Sequence, residues 1–134
     1  MSIENNVGPK DMNIEEIAKS TIEAAFTFYK NLGPGLLESV YEYCLVHELK
    51  KRGLSVQTQL ALPVYYDGEL INAGYRIDIL IEDRLIVELK TVEKILPVHK
   101  AQLLTYVKLS RKKLGLLMNF NSAIFKDGIK RVIN

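Results

Sequence analysis

Asp78, Glu88 and Lys90 are the residues of this chain whose types and spacing could do chemistry. They lie in Tyr75-Arg76-Ile77-Asp78-Ile79-Leu80-Ile81 and Leu85-Ile86-Val87-Glu88-Leu89-Lys90, two runs joined by Glu82-Asp83-Arg84. Strand side chains alternate faces, so Glu88 and Lys90 share one face and Val87 and Leu89 the other. With a three-residue loop, Ile81 faces Leu85, Ile79 faces Val87 and Ile77 faces Leu89, giving one apolar face. The same register sets Asp78 opposite Glu88 and Arg76 opposite Lys90. A one-residue slip would mix apolar and charged side chains on both faces. Opposed carboxylates destabilise a strand pair, and a divalent cation removes that cost. Oxygen ligands suit Mg²⁺ or Mn²⁺, typically held by one or two carboxylates with waters and a substrate phosphate. Lys90 would then hold a phosphate oxygen or help lower the pKa of an attacking water. Taken alone, the two strands fit equally well a surface hairpin whose Arg76, Asp78, Glu88 and Lys90 form exposed ion pairs, which contribute little.

The elements around these strands follow from period and punctuation. Asn13 before Ile14, with Glu16 three residues on, reads as a capping box. Ile14, Ile17, Ala18, Ile22, Ala25, Phe26 and Tyr29 follow at helical spacing, so a first helix is expected to about Asn31. Gly33-Pro34-Gly35 stops it. A second helix is expected from about Leu36 to Arg52, with Leu36, Leu37, Val40, Tyr41, Cys44 and Leu45 as its apolar stripe and Gly53 as its stop. Val56 to Tyr66 is rich in β-formers, Asp67-Gly68 is a hairpin turn signal, and Pro63 argues for an edge or a bulge. Pro97 opens a third helix reaching about Lys113, and Gly115 ends it. Leu116 to Phe120 is a short strand, and Asp127-Gly128 turns the chain into Ile129 to Ile133. The expected order is helix, helix, three strands, helix, two strands, in one mixed α/β domain over residues 13–134 behind a mobile tail, residues 1–12.

On the third helix His99, Gln102 and Tyr106 fall on one face, which could be presented to the strand site. A half-buried Tyr106 and a His99 that caps the first turn is the simpler account of each residue alone. Glu38, early in the second helix, could approach the same site, although a solvated glutamate explains it equally.

Composition sets the outer bounds. The chain has 134 residues, 48% of them hydrophobic and 25% charged, which fits a globular domain and excludes collagen-like and disordered readings. Cys44 is the one cysteine and His47 and His99 the two histidines, so neither an internal disulfide nor a Cys/His zinc site is expected. No apolar run approaches the roughly 20 residues of a membrane span, and Met1 to Lys10 lack a hydrophobic signal core, so a cytoplasmic protein is expected. The net charge of +2 hides an asymmetry: residues 1–83 carry 7 Lys+Arg against 13 Asp+Glu, and residues 84–134 carry 11 against 3. Clustered basic residues raise the expectation of a polyanionic partner.

Together these residues resemble a known pattern. Gly35-Leu36-Leu37-Glu38-Ser39-Val40-Tyr41-Glu42 is similar to the signature of the GxxExxY protein family. The likeness continues through Tyr75-Arg76-Ile77-Asp78, Val87-Glu88-Leu89-Lys90, His99-Lys100-Ala101-Gln102-Leu103-Leu104-Thr105-Tyr106, Leu114-Gly115-Leu116-Leu117-Met118-Asn119-Phe120 and Asp127-Gly128-Ile129-Lys130-Arg131. That family is usually placed in the PD-(D/E)XK nuclease superfamily, whose core is α-β-β-β-α-β, here with an added N-terminal helix. The resemblance implies Asp78 and Glu88 as metal ligands, with the carbonyl of Leu89 completing the set. It makes Lys90 the residue that positions or activates water and Glu38 the first-helix acid. Gln102 and Tyr106 resemble the Q-x-x-x-Y signature of RecB-like nucleases. Ile77 stands where the motif name expects proline.

The function expected from this is metal-dependent hydrolysis of DNA or RNA with Mg²⁺ or Mn²⁺. Lys100, Lys108, Arg111, Lys112 and Lys113 of the third helix and Lys126, Lys130 and Arg131 of the tail would grip the backbone without sequence choice. Two-fold assembly is compatible with this reading, since cutting a duplex often takes two small sites. The alternative is a non-catalytic nucleic-acid- or protein-binding module on the same fold, which has no evident need of an intact Asp78/Glu88/Lys90 set. A small-molecule phosphate enzyme is a third option, weakened by the absence of a Gly-rich phosphate loop.

Overall fold

Asn13 starts the first helix as its spacing predicts. In the computed structural model, which describes residues 11–72 and 74–134, the Glu16 N–H donates to Asn13 Oδ1 (2.8 Å) and the Asn13 N–H to Glu16 Oε1 (3.0 Å). Two N–H groups that a helix end leaves bare are thereby satisfied. Residues 1–10 of the expected tail lie outside the described residues. Helix α1 (Ile14–Leu32) is followed by α2 (Glu38–Lys51), β1 (Val56–Ala61), β2 (Val64–Tyr66), β3 (Glu69–Ile71), β4 (Arg76–Ile81), β5 (Leu85–Lys90), α3 (Pro97–Leu109), β6 (Leu114–Asn119) and β7 (Ile129–Ile133).

Five strands form one mixed sheet in the order β1-β4-β5-β6-β7, with β5 and β6 parallel and the other neighbours antiparallel. Parallel neighbours need a crossover, and α3 supplies it. On one face Ile17, Ala25 and Phe28 of α1 and Tyr41, Leu45 and Leu49 of α2 pack on Ile79, Ile81, Leu85, Val87, Leu89, Leu116 and Met118. On the other, Leu103, Tyr106 and Val107 of α3 pack on Ile77, Leu80, Ile86 and Leu117. This is the expected α/β class, and α2-β1-β4-β5-α3-β6 traces the expected core order.

Four local expectations are corrected. The run Val56 to Tyr66 is two strands rather than one: Pro63 offers no N–H to a ladder, so the chain leaves the sheet after Ala61 and β2 pairs only with β3 in a separate hairpin. Leu36 and Leu37 precede α2 instead of lying on its stripe, because the helix begins at Glu38, and Leu37 is 74% exposed. Ile77 does not share a face with Ile79 and Ile81. It joins the α3 cluster, because simple alternation breaks at Asp78, opposite the kinked Gln59 (φ 52°) of β1. Gly115 does not end α3, which stops at Leu109 with Arg111 in the left-handed region (φ 59°).

Gly115 lies instead inside β6, where α3 crosses closest. A Cβ there would sit 2.9 Å from both Leu103 Cδ1 and Val107 Cγ2. Gly115→Ala is therefore expected to destabilise the fold by about 1–3 kcal/mol, the usual cost of overpacking, read as a lower urea midpoint with unchanged slope. An unchanged midpoint would show that α3 yields without cost.

Candidate active site

The β4–β5 hairpin keeps the expected register only over its inner half. Ile81 pairs with Leu85, Leu80 with Ile86 and Ile79 with Val87, and there the ladder stops. Beyond it β4 stays with β1 (Leu60 with Ile77, Ala61 with Arg76), while β5 stays with β6 (Glu88 with Leu117, Lys90 with Asn119). The two central strands therefore part, and Asp78 and Glu88 sit at the apex of the fork. Side chains replace the missing ladder bonds there: the Asp78 N–H donates to Glu88 Oε1 (3.1 Å) and the Leu89 N–H to Asp78 Oδ2 (3.0 Å). Arg76 is drawn to the carbonyl of Gln59 on β1 (3.3 Å), so it does not stand against Lys90 as expected.

The fork is an electrostatically tense place. Glu88 is 5% exposed. Burial first, and then the charge of Asp78, push its carboxyl from 4.5 up to about 8, against the opposing pull of the Asp78 N–H and Lys90. Burial and the charge of Glu88 also raise Tyr106, so its phenol stays protonated; its oxygen accepts from Gln102 Nε2 (3.2 Å). Glu38 approaches from the α2 side. Partial desolvation and the charge of Asp78 raise its carboxyl, and Lys90 lowers it. Six residues from four separate elements (Glu38, Asp78, Glu88, Lys90, Gln102 and Tyr106) thus meet at one end of the sheet.

Three residues that hold this arrangement carry no site role in the sequence reading, where Tyr41 is a stripe residue of the second helix and Gly35 part of a helix stop. Tyr41 is fully buried and stacks on Phe120 (4.4 Å, 5°). Its hydroxyl donates to the Gly33 carbonyl (2.6 Å) and accepts from the Leu36 N–H (3.2 Å), tying the Gly33-Pro34-Gly35 turn to α2 and fixing where Glu38 starts. Gly35 (φ 98°) adopts a backbone that side chains disfavour, and its N–H donates to Asn121 Oδ1 (3.2 Å). Buried Asn119 clamps the loop that follows Lys90, accepting from the Val92 N–H (3.0 Å) and donating to the Val92 carbonyl (2.8 Å). An asparagine closing an apolar strand was the available signal. Tyr41→Phe leaves the Gly33 carbonyl and the Leu36 N–H without their partner, so a loss of about 1–3 kcal/mol is expected, measurable by urea denaturation; no loss would mean that water takes over both bonds.

The model of the PD-(D/E)XK nuclease superfamily matches residues 15–132. The chain belongs to that superfamily. No curated protein and no solved structure matches it. Membership suggests a nuclease-like function with nucleic acid as substrate, and PD-(D/E)XK nucleases commonly use Mg²⁺ or a similar divalent metal. No cluster of three or more His, Cys, Asp or Glu residues that could hold a metal exists among the described residues; a cation here would rely on two carboxylates completed by main-chain, water or phosphate oxygens.

The basic residues divide between the two ends of the sheet. Lys100 and Lys130 line one recess beside Pro97, at the end where β5 and β6 finish and the fork lies. Arg111, Lys112 and Lys113 line a recess of about 410 Å³ with Asp83 and Arg84, at the opposite, hairpin-turn end. Lys112 is paired with Asp83 (3.1 Å) and Arg131 with Glu15 (2.7 Å); Lys108 and Lys126 are exposed. His99 takes the capping role, its Nδ1 accepting from the Leu96 N–H (2.9 Å). No described helix is long and apolar enough to cross a membrane.

Proposed function

We propose that this chain is a metal-dependent phosphodiester hydrolase of the GxxExxY family, acting on DNA or RNA. The observation that carries the reading is the pair of buried Glu88 and half-buried Asp78 at the fork, each carboxylate held by a main-chain N–H of the other strand. Burial and the neighbouring Asp78 carboxylate push Glu88 up to about 8, and this unfavourable crowding of negative charge, which a cation would relieve, supports the reading. Family membership supports the reading, and the Gly35-x-x-Glu38-x-x-Tyr41 spacing supports the finer assignment.

The donor set fits Mg²⁺ or Mn²⁺: Asp78, Glu88 and the Leu89 carbonyl are hard oxygen ligands. Such an ion, when bound, polarises the phosphate and lowers the pKa of a coordinated water. The ammonium of Lys90 holds the charge that develops on the phosphoryl oxygens and keeps the water in line, a role worth several kcal/mol where water is excluded. Glu38 orients the water from the α2 side. The protonated phenol of Tyr106, backed by the Gln102 amide, offers a neutral hydrogen bond to the strand. Lys100 and Lys130 meet its backbone at the same end of the sheet. Arg111, Lys112 and Lys113 reach only nucleic acid running the length of α3, about 20 Å. Lys112 and Arg131 must exchange surface carboxylates for phosphates, which costs little.

The test is cleavage of labelled single- and double-stranded DNA and RNA with Mg²⁺ or Mn²⁺, with Lys90→Ala and EDTA as controls. Loss of a wild-type signal in both controls is the expected result. A folded protein that cleaves none of the four substrates would turn the reading to a binding module.

A further inference from the structure

We propose that the groove between the β2–β3 hairpin and α3 receives an unpaired nucleobase of the strand being cut, which makes single-stranded or locally unpaired nucleic acid the substrate. The inference rests on the nuclease reading above and names its substrate class. The groove encloses about 410 Å³, and Val64, Tyr75, Val98, Gln102, Tyr106 and Leu109 form most of its lining. Tyr75 is 44% exposed, Val98 63% and Leu109 45%, a wet apolar surface that would gain from being covered.

Three observations select the occupant. The groove is continuous with the fork: Gln102 and Tyr106 belong to both, Tyr75 lies three residues before Asp78, and its ring stands 5.9 Å from that of Tyr106. A group seated there therefore belongs to the same strand as a phosphate at Asp78 and Glu88. No lining residue is charged, so the groove neither grips a phosphate nor repels one, and suits the uncharged part of a nucleotide. Finally, Tyr75 offers a ring for stacking, while Gln102 spends one amide N–H on Tyr106 and retains a carbonyl oxygen for the polar edge of a base. Stacked and paired bases of a duplex cannot enter such a groove, whereas splayed bases of a single strand can. On β2 itself, Tyr65 and Tyr66 are 65% and 74% exposed and extend the aromatic surface for neighbouring bases.

The test is binding rather than cleavage. Fluorescence anisotropy with a labelled oligonucleotide of about 12 residues, single-stranded and as the matching duplex, would be run in EDTA on wild type, Tyr75→Ala, Tyr75→Phe and Val98→Asp. Tyr75→Ala is expected to weaken single-strand binding about 5- to 150-fold, the equivalent of one stacked base, and to leave duplex binding unchanged. Tyr75→Phe keeps the ring and should bind as wild type. Val98→Asp, on a different element, places a carboxylate in the groove and should also weaken single-strand binding. Equal losses on both nucleic acids, or no loss in either groove variant, overturn the proposal. Binding of neither nucleic acid by wild type also overturns it and leaves an apolar side chain of a protein partner as the occupant. Lys90-dependent cleavage without Tyr75-dependent binding sinks the groove alone; Tyr75-dependent binding without cleavage sinks the nuclease reading alone.

Discussion

Glu88→Gln is expected to lower metal-dependent strand cleavage by about 10²–10³-fold or more, with Asp78→Asn as severe and the double variant little worse than either. Both substitutions preserve shape. The amide oxygen at position 88 can still accept from the Asp78 N–H, a bond of 3.1 Å in the native protein, and the oxygen of an asparagine at 78 can still accept from the Leu89 N–H, at 3.0 Å. The fork therefore survives while its negative charge goes. Residues acting as one unit lose function non-additively, which is why the double variant adds little. Single-turnover cleavage under saturating Mg²⁺ measures the effect. Wild-type rates in Glu88→Gln would show that Glu88 is a structural carboxyl and not a ligand.

The same residue makes the fold itself sensitive to pH. Glu88 titrates near 8 in the folded protein rather than at its ordinary 4.5, so between these values the folded state binds a proton that the unfolded chain releases. Stability must then fall as pH rises through that window, by up to about 1.4 kcal/mol per pH unit and a few kcal/mol in all. Full stability from this group is present below about 4.5 and lost by about 8. Urea midpoints measured from pH 5 to 8 in EDTA should decline, and the Glu88→Gln variant should lack that part of the slope. Mg²⁺ should restore stability at the alkaline end if the ion occupies the fork, because binding to the folded state alone stabilises it by mass action. A flat wild-type profile would mean that solvent or Lys90 relieves the charge, and the burial argument would fail.

Local rules carried much of the fold. The Asn13–Glu16 capping box, the stop at Gly33, Pro97 opening α3 and the three-residue hairpin loop each depend on contacts within a few residues, so a short window of sequence suffices to read them. The inner register, Ile81 with Leu85 and Ile79 with Val87, was legible for a similar reason: apolar alternation on two adjacent strands leaves one sensible register. Past Ile79 the alternation breaks, and Asp78 and Glu88 meet through side-chain to main-chain bonds instead of the expected cross-strand pair. Tyr41 shows the limit. Its position in the spacing Gly35-x-x-Glu38-x-x-Tyr41 is plain in the sequence, but that its hydroxyl closes the turn before α2 depends on how two segments approach.

What the sequence by itself determined is the set of chemical groups and the class of the fold, because residue type and period are properties of the chain alone. The tertiary structure decided where those groups act. Only the competition of β1 and β6 for the two central strands opens the fork, ending the β4–β5 ladder before Glu88 and setting its side chain against Asp78. Only the packing of α3 makes Gly115 a contact point instead of a helix stop. The direction of β5 and β6 carries Lys100 and Lys130 to the same end of the sheet as the fork and leaves Arg111 to Lys113 at the far end. Each of these outcomes depends on partners distant in the chain, and a pattern of periods and turns holds no record of which distant surfaces will meet.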